Sequence, residues 1–129
     1  MRADATCIEK KVIGFLKNYN LQKAFCENAQ TRIDMLKMCR PTPERGEEIK
    51  CLETQRDLAR RQIEMIDRAC DLLSESEKKT ISEFYINRRQ GHVDRLCEAL
   101  FCEERSVYKY KEQAMNKLCA ALFGNYNNI

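Results

Sequence analysis

The sequence predicts an all-α protein. An N-terminal helical hairpin or coiled-coil arm spans residues 1–73, and a three-helix domain spans residues 74–129. Three observations predict this. Breakers are sparse, with four Gly and two Pro in 129 residues, while 33% of residues are charged and 43% hydrophobic. That mixture favours helix over strand and supplies enough apolar side chains for a core. Apolar residues recur at steps of three and four through most of the chain, the spacing of one helix face. Finally, Arg40-Pro41-Thr42-Pro43 and Ser74-Glu75-Ser76-Glu77 cut the chain into pieces of helical length, the first by disfavouring helix and the second by starting one.

The first helix is expected over 6–19, with Ile8, Val12, Phe15, Leu16 and Tyr19 on one face. Thr6 with Glu9 three residues later has the pattern of a capping box, and Asn18 to Asn20 should loosen the helix's end. A second helix carries Leu21, Phe25, Ala29, Ile33 and Leu36 and stops before the prolines. The longest pattern follows over 44–73. Ile49, Leu52, Arg56, Ala59, Ile63, Ile66, Cys70 and Leu73 step by 3, 4, 3, 4, 3, 4, 3, a heptad seam with one charged interruption at Arg56. Leu58, Met65 and Leu72 form a second line that should widen the apolar face. The preceding helix, folding back antiparallel, is one partner for this seam; a homodimer through the 44–73 helix is the other.

Ser74 can accept the amide proton of Glu77 while Glu77 reaches back to the amide of Ser74, a capping box that opens a new helix. This helix carries Ile81, Phe84 and Tyr85 and ends at Arg88-Arg89-Gln90-Gly91. A short helix near 92–100 places Val93, Leu96, Cys97 and Leu100 on one face. After a break from Phe101 to Glu104, the last helix runs to about Phe123, with Gly124 as its C-cap and Asn125–Ile129 as a frayed tail. Three helices with a short turn between the second and third have the layout of a helix-turn-helix. At 100° per residue, Val107, Tyr110, Ala114, Leu118, Ala121 and Leu122 cluster on the inner side of the last helix. Arg105, Lys109, Glu112 and Asn116 lie opposite, flanked by Ser106 and Tyr108.

The stretches Leu73-Ser74-Glu75-Ser76-Glu77-Lys78, Glu98-Ala99-Leu100-Phe101-Cys102 and Val107–Leu118 together resemble sigma factor region 4. In that family a capped helix opens the domain, an "L-G-I-S" turn follows, and a recognition helix ends in "A-L-x-K-L". The Tyr108-Lys109-Tyr110-Lys111 ending and the helical arm resemble, more narrowly, phage late-gene activators of the ArpU and RinA type. The resemblance implies a sequence-specific DNA-binding transcriptional regulator of a phage or prophage late operon, with double-stranded DNA and RNA polymerase as partners. Carried over by position, it makes Glu104, Arg105, Ser106, Tyr108 and Lys109 candidates for reading bases. Arg105 is the foremost, because its planar fork can bond two guanine acceptors at once. Lys111 joins Lys109 as a base or phosphate contact, and Arg88 and Arg89 are phosphate candidates. Two departures stand out. Phe101 occupies the turn position usually held by Gly and should resist a positive φ, implying a turn of different shape. Glu103 replaces the usual Ser/Thr cap and, with Glu104, sets negative charge where phosphates would lie.

Charge and chemistry set the remaining bounds. The net charge is +3, and residues 74–129 carry nine basic and eight acidic side chains, so any DNA contact must rest on local placement rather than a polycationic field. The eight cysteines form no C-x-x-C pair and there is one histidine, His92; neither a zinc site nor a disulfide framework is expected, and the thiols read as small core or half-exposed residues. No catalytic residue, metal or cofactor is expected, since neither a nucleophile–base pair nor a glycine-rich phosphate loop is present. His92, beside Gly91, reads as a cap or surface residue. The absence of a long apolar run and of a signal-like N-terminus points to the cytoplasm and away from the membrane. Two further readings fit the same helices: a phage DNA-packaging adaptor resembling a small terminase subunit, and a protein-only interaction module.

Overall fold

The computed structural model describes residues 2–124, with side chains from residue 7 onward; the expected frayed tail Asn125–Ile129 lies outside the described residues. The fold is all-helical: α1 (Arg2–Lys17), α2 (Tyr19–Met38), α3 (Pro43–Cys70), α4 (Glu75–Ile81) continuing into a π-helical turn (Ser82–Ile86), α5 (His92–Leu100) and α6 (Glu104–Phe123). Among the described residues there is no strand, and no helix is long and apolar enough to cross a membrane. The chain forms two compact units, one of Tyr19–Glu64 and one of Met1–Asn18 with Met65–Ile129. The boundary expected between residues 73 and 74 left the first helix with the arm, whereas α1 packs on α6.

In the Tyr19–Glu64 unit, α2 and the first part of α3 run antiparallel. Arg32 pairs with Glu48 at 2.8 Å, Arg56 Nη1 donates to Gln30 Oε1 at 2.7 Å, and Cys26 Sγ donates to the Arg56 carbonyl at 3.6 Å. The prolines act at this connection. Pro43 opens α3, where its missing N–H costs nothing, and Thr42 Oγ1 accepts from the Arg45 amide at 3.2 Å. Ala29, Ile33, Leu36 and Ala59 are buried. Arg56, the charged interruption of the seam, leaves only 15% of its side chain exposed. Its guanidinium is satisfied by Gln30 and, at 3.0 and 3.1 Å, by Asp57. The second apolar line does not widen the buried face: Leu58 and Leu72 are 61% and 63% exposed.

In the other unit, α1 begins at Arg2, so Thr6 lies inside the helix rather than at its cap. Val12 and Leu16 are fully buried, and Phe15 stacks on Phe123 at 6.1 Å between ring centroids. α3 ends at Cys70, three residues before the expected end. There the hydrogen bonds shorten to Leu72 N–H with Ala69 C=O and Leu73 N–H with Cys70 C=O, a tightened last turn that sets buried Leu73 beside the cap at Ser74. The capping box forms as expected: the Glu77 amide donates to Ser74 Oγ at 3.2 Å and the Ser74 amide to Glu77 Oε1 at 2.8 Å.

α6 packs chiefly against α4 and α1. Val107, Ala114 and Leu118 are completely buried, and Met115 and Cys119 join them. The inner face therefore turns toward Met115 and Cys119, away from the expected Ala121, which is exposed; Tyr110 and Leu122 are half-buried. Both α4 and α1 cover α6, and the docking of α1, remote in sequence, is not announced by the spacing of α6 itself.

Candidate nucleic-acid interface

The start of α6 is set by the turn that precedes it. The Phe101 amide donates to the Glu98 carbonyl at 3.4 Å, and the Cys102 amide to the Cys97 carbonyl at 3.1 Å. This pair of bonds around a left-handed residue is a Schellman motif. Phe101 holds φ 52° and ψ 50°, so the turn keeps the shape that glycine favours, and the expectation of a different turn is corrected. The phenyl ring is 95% exposed: the strain falls on the backbone, and the side chain meets no crowding. Glu103 then occupies the N-cap with φ −84° and ψ 163° but makes no side-chain cap bond. Its carbonyl receives the Ser106 and Val107 amides at 3.0 and 3.2 Å, while its carboxylate is left to complement the helix end through space.

From that start, the register of α6 fixes which side chains face water. Glu104, Arg105, Tyr108, Lys109, Glu112, Gln113 and Asn116 are exposed, and Ser106 is half-buried. Arg105 and Lys109, one turn apart, make no ion pair with the described residues. The expected outer face is thus the observed one.

Phe84 is the platform under this face. It belongs to the π-helical turn and is buried with Leu96 and Val107, against Val93, Leu100 and the thiols of Cys97 and Cys102. Tyr108 meets its ring edge-on at 5.9 Å, and His92 does so at 4.6 Å, so His92 serves as a packing residue. Lys111 places its ammonium 5.0 Å from the Phe84 centroid and 5.8 Å from that of Tyr108. Cation–π contact holds this lysine against the protein, which leaves it less free to reach a ligand than Lys109.

The two candidate phosphate arginines differ. Arg88 is exposed and forms no ion pair among the described residues. Arg89 bonds Glu83 Oε2 at 2.5 Å, and this bond and the Glu83 charge raise its pKa against a small desolvation effect. Glu83 is only 8% exposed, and its other oxygen is buried without a partner among the described residues. Arg89 therefore neutralises a buried carboxylate before it can meet any phosphate. Sequence reading missed this pair: the π-helical turn adds a residue to the helix and brings Glu83 and Phe84 inward together, and no spacing rule flags such a turn.

A second pair escaped notice because its members lie forty residues apart. Lys117 Nζ bonds Glu77 Oε1 at 2.8 Å, so the carboxylate that completes the cap of α4 also holds α6. Burial pushes the Glu77 carboxyl up, but the bonds from Lys117 and Ser74 and the Lys117 charge outweigh it, and the net shift is downward. Among the described residues no group of acidic, His and Cys side chains could hold a metal ion. Compared with protein-family models, curated proteins and solved structures, the chain matches none.

Proposed function

We propose that this chain is a sequence-specific DNA-binding transcriptional regulator that inserts the outer face of α6 into the major groove. The observation that carries the reading is Arg105 and Lys109, exposed, without an ion pair among the described residues and one turn apart at the start of a helix held by the packing of Val107 on Phe84 and by the Glu77–Lys117 pair. Arg105 is the base-reading residue, with Lys109, Tyr108, Ser106 and Glu104 beside it; Glu104 suits a cytosine amino group. Arg88 supplies a phosphate contact, while Arg89 and Lys111 work mainly within the protein. The resemblance to sigma factor region 4 and to phage late-gene activators supports a late-operon activator acting in the cytoplasm, with RNA polymerase as a further partner. A homodimer would use the apolar strip of Leu21, Phe25 and Leu58 on the Tyr19–Glu64 unit, where Leu21 and Leu58 are 67% and 61% exposed.

A second reading, a protein-only interaction module, is favoured by Glu103 and Glu104, both exposed at the start of α6, where they repel phosphate. The two readings separate in one experiment. The purified chain is used to select ligands from a pool of randomised DNA duplexes. A common sequence that emerges over successive rounds supports the DNA reading; a pool that remains random supports the interaction module.

A further inference from the structure

We propose that Cys97 and Cys102 form a redox-modification site: a dithiol that disulfide oxidants of the glutathione type convert to an intramolecular disulfide clamping the α5–α6 turn. In the Schellman motif, the third residue from the helix end and the second residue beyond it are tied by a backbone hydrogen bond, and their side chains frequently meet across the turn. Those two positions are Cys97 and Cys102, as the bond from the Cys102 amide to the Cys97 carbonyl at 3.1 Å shows. With ordinary backbone bond lengths, that bond holds the two Cα atoms within about 7 Å of each other. A disulfide spans Cα separations of about 4.4 to 6.8 Å, so the bridge needs little movement. Both thiols are half-buried and pack against the same cluster of Phe84, Leu96 and Val107, which keeps them on one side of the turn. Burial pushes the Cys97 thiol up, and Cys102, Asp94 and Glu104 add to it, which lowers its thiolate fraction and slows the oxidation without altering the geometry that permits it.

The chemistry balances with a glutathione disulfide as oxidant. One cysteine thiolate attacks a glutathione sulfur, the glutathione S–S bond breaks, and a glutathione thiolate leaves and takes up a proton. The second cysteine thiolate then attacks the mixed disulfide at the protein sulfur and expels the second glutathione. The protein loses two protons and two electrons, and the oxidant becomes two thiols. The product ties the last turn of α5 to the residue just before the α6 cap, closing a ring around left-handed Phe101. The site stands independently of what α6 contacts.

The sequence makes the test direct. Trypsin cleaves after Arg95 and Arg105, and the peptide Leu96–Arg105 contains both cysteines and no others. The reduced full chain is equilibrated with glutathione disulfide, alkylated, digested and weighed by mass spectrometry. The expected product is Leu96–Arg105 free of label and of glutathione and lighter by two hydrogens, with the helical circular dichroism unchanged. Peptides holding the exposed Cys39 and Cys51 should carry glutathione instead. In Cys102→Ser, and in Cys97→Ser should the first variant not fold, the remaining cysteine should retain a glutathione adduct. Leu96–Arg105 recovered with both thiols alkylated, with a stable glutathione adduct, or bridged to another peptide would overturn the proposal, as would loss of helix on oxidation.

Discussion

Replacing Phe101 by glycine should stabilise the protein, although it removes a large apolar side chain. The left-handed conformation costs an L-residue about 1–2 kcal/mol, and Phe101 occupies it at φ 52°. Glycine adopts it freely but gives up about 0.5–1 kcal/mol through its more flexible unfolded chain. Burial adds nothing to the balance, since the side chain is 95% exposed. The midpoints of the two ranges leave a net gain of about 0.75 kcal/mol, which should raise the melting temperature by about 3–6 °C for a unit of this size. Thermal melts followed by circular dichroism, with urea titrations beside them, measure it. Phe101→Asn should fall between the two, because asparagine tolerates the left-handed region better than phenylalanine. A melting temperature that falls in Phe101→Gly would mean that the phenyl ring holds contacts or that the turn is unstrained.

Other consequences follow from the same contacts. Ser74→Ala should cost about 1 kcal/mol, the usual worth of an N-cap, read as a lower urea midpoint with unchanged slope. Glu77 has its pKa lowered in the folded state, so its contribution is present above the ordinary glutamate value near 4.5 and is lost as pH falls through the lower folded value. Glu77→Gln should accordingly flatten the acid limb of the stability profile and, with Lys117 half-exposed, cost about 1 kcal/mol at neutral pH. Arg89→Ala should lower the melting temperature by stranding the buried Glu83 carboxylate. Glu83→Gln in the same chain should recover much of the loss, and strict additivity of the two changes would contradict the pairing. On a selected duplex, Arg88→Ala should reduce the slope of log affinity against log salt by about 1, as for one phosphate contact.

Much of the fold was legible because it rests on local signals. The capping box at Ser74, the prolines at 41 and 43, and the register of Val107, Ala114 and Leu118 are written in short spacings that fix backbone geometry directly. The outer face with Arg105 and Lys109 was legible for the same reason: once one side of a helix is apolar, the other is determined. What escaped was non-local or irregular. The docking of α1 on α6, with Phe15 against Phe123, leaves no trace in spacing because any amphipathic helix could supply it. The π-helical turn alters the phase of its own helix, so the burial of Glu83 does not follow from the 3.6-residue spacing upstream of it. Phe101 departs from expectation through its residue type. A bulky side chain disfavours the left-handed turn, but the two backbone bonds that close the motif outweigh a strain of about 1–2 kcal/mol when the side chain points into water.

The measurement that bears most directly on the central claim is the affinity of wild-type chain and of Arg105→Ala/Lys109→Ala for a duplex selected by the wild type and for a random duplex. Both proteins are examined at one fixed salt concentration, with circular dichroism confirming equal helix content. The outer face of α6 is predicted to carry the discrimination. The double variant should lose roughly 5- to 150-fold in preference for the selected duplex, since one bidentate base contact is worth about 1–3 kcal/mol. Undiminished preference in a folded double variant would contradict the account and place any DNA contact elsewhere on the protein.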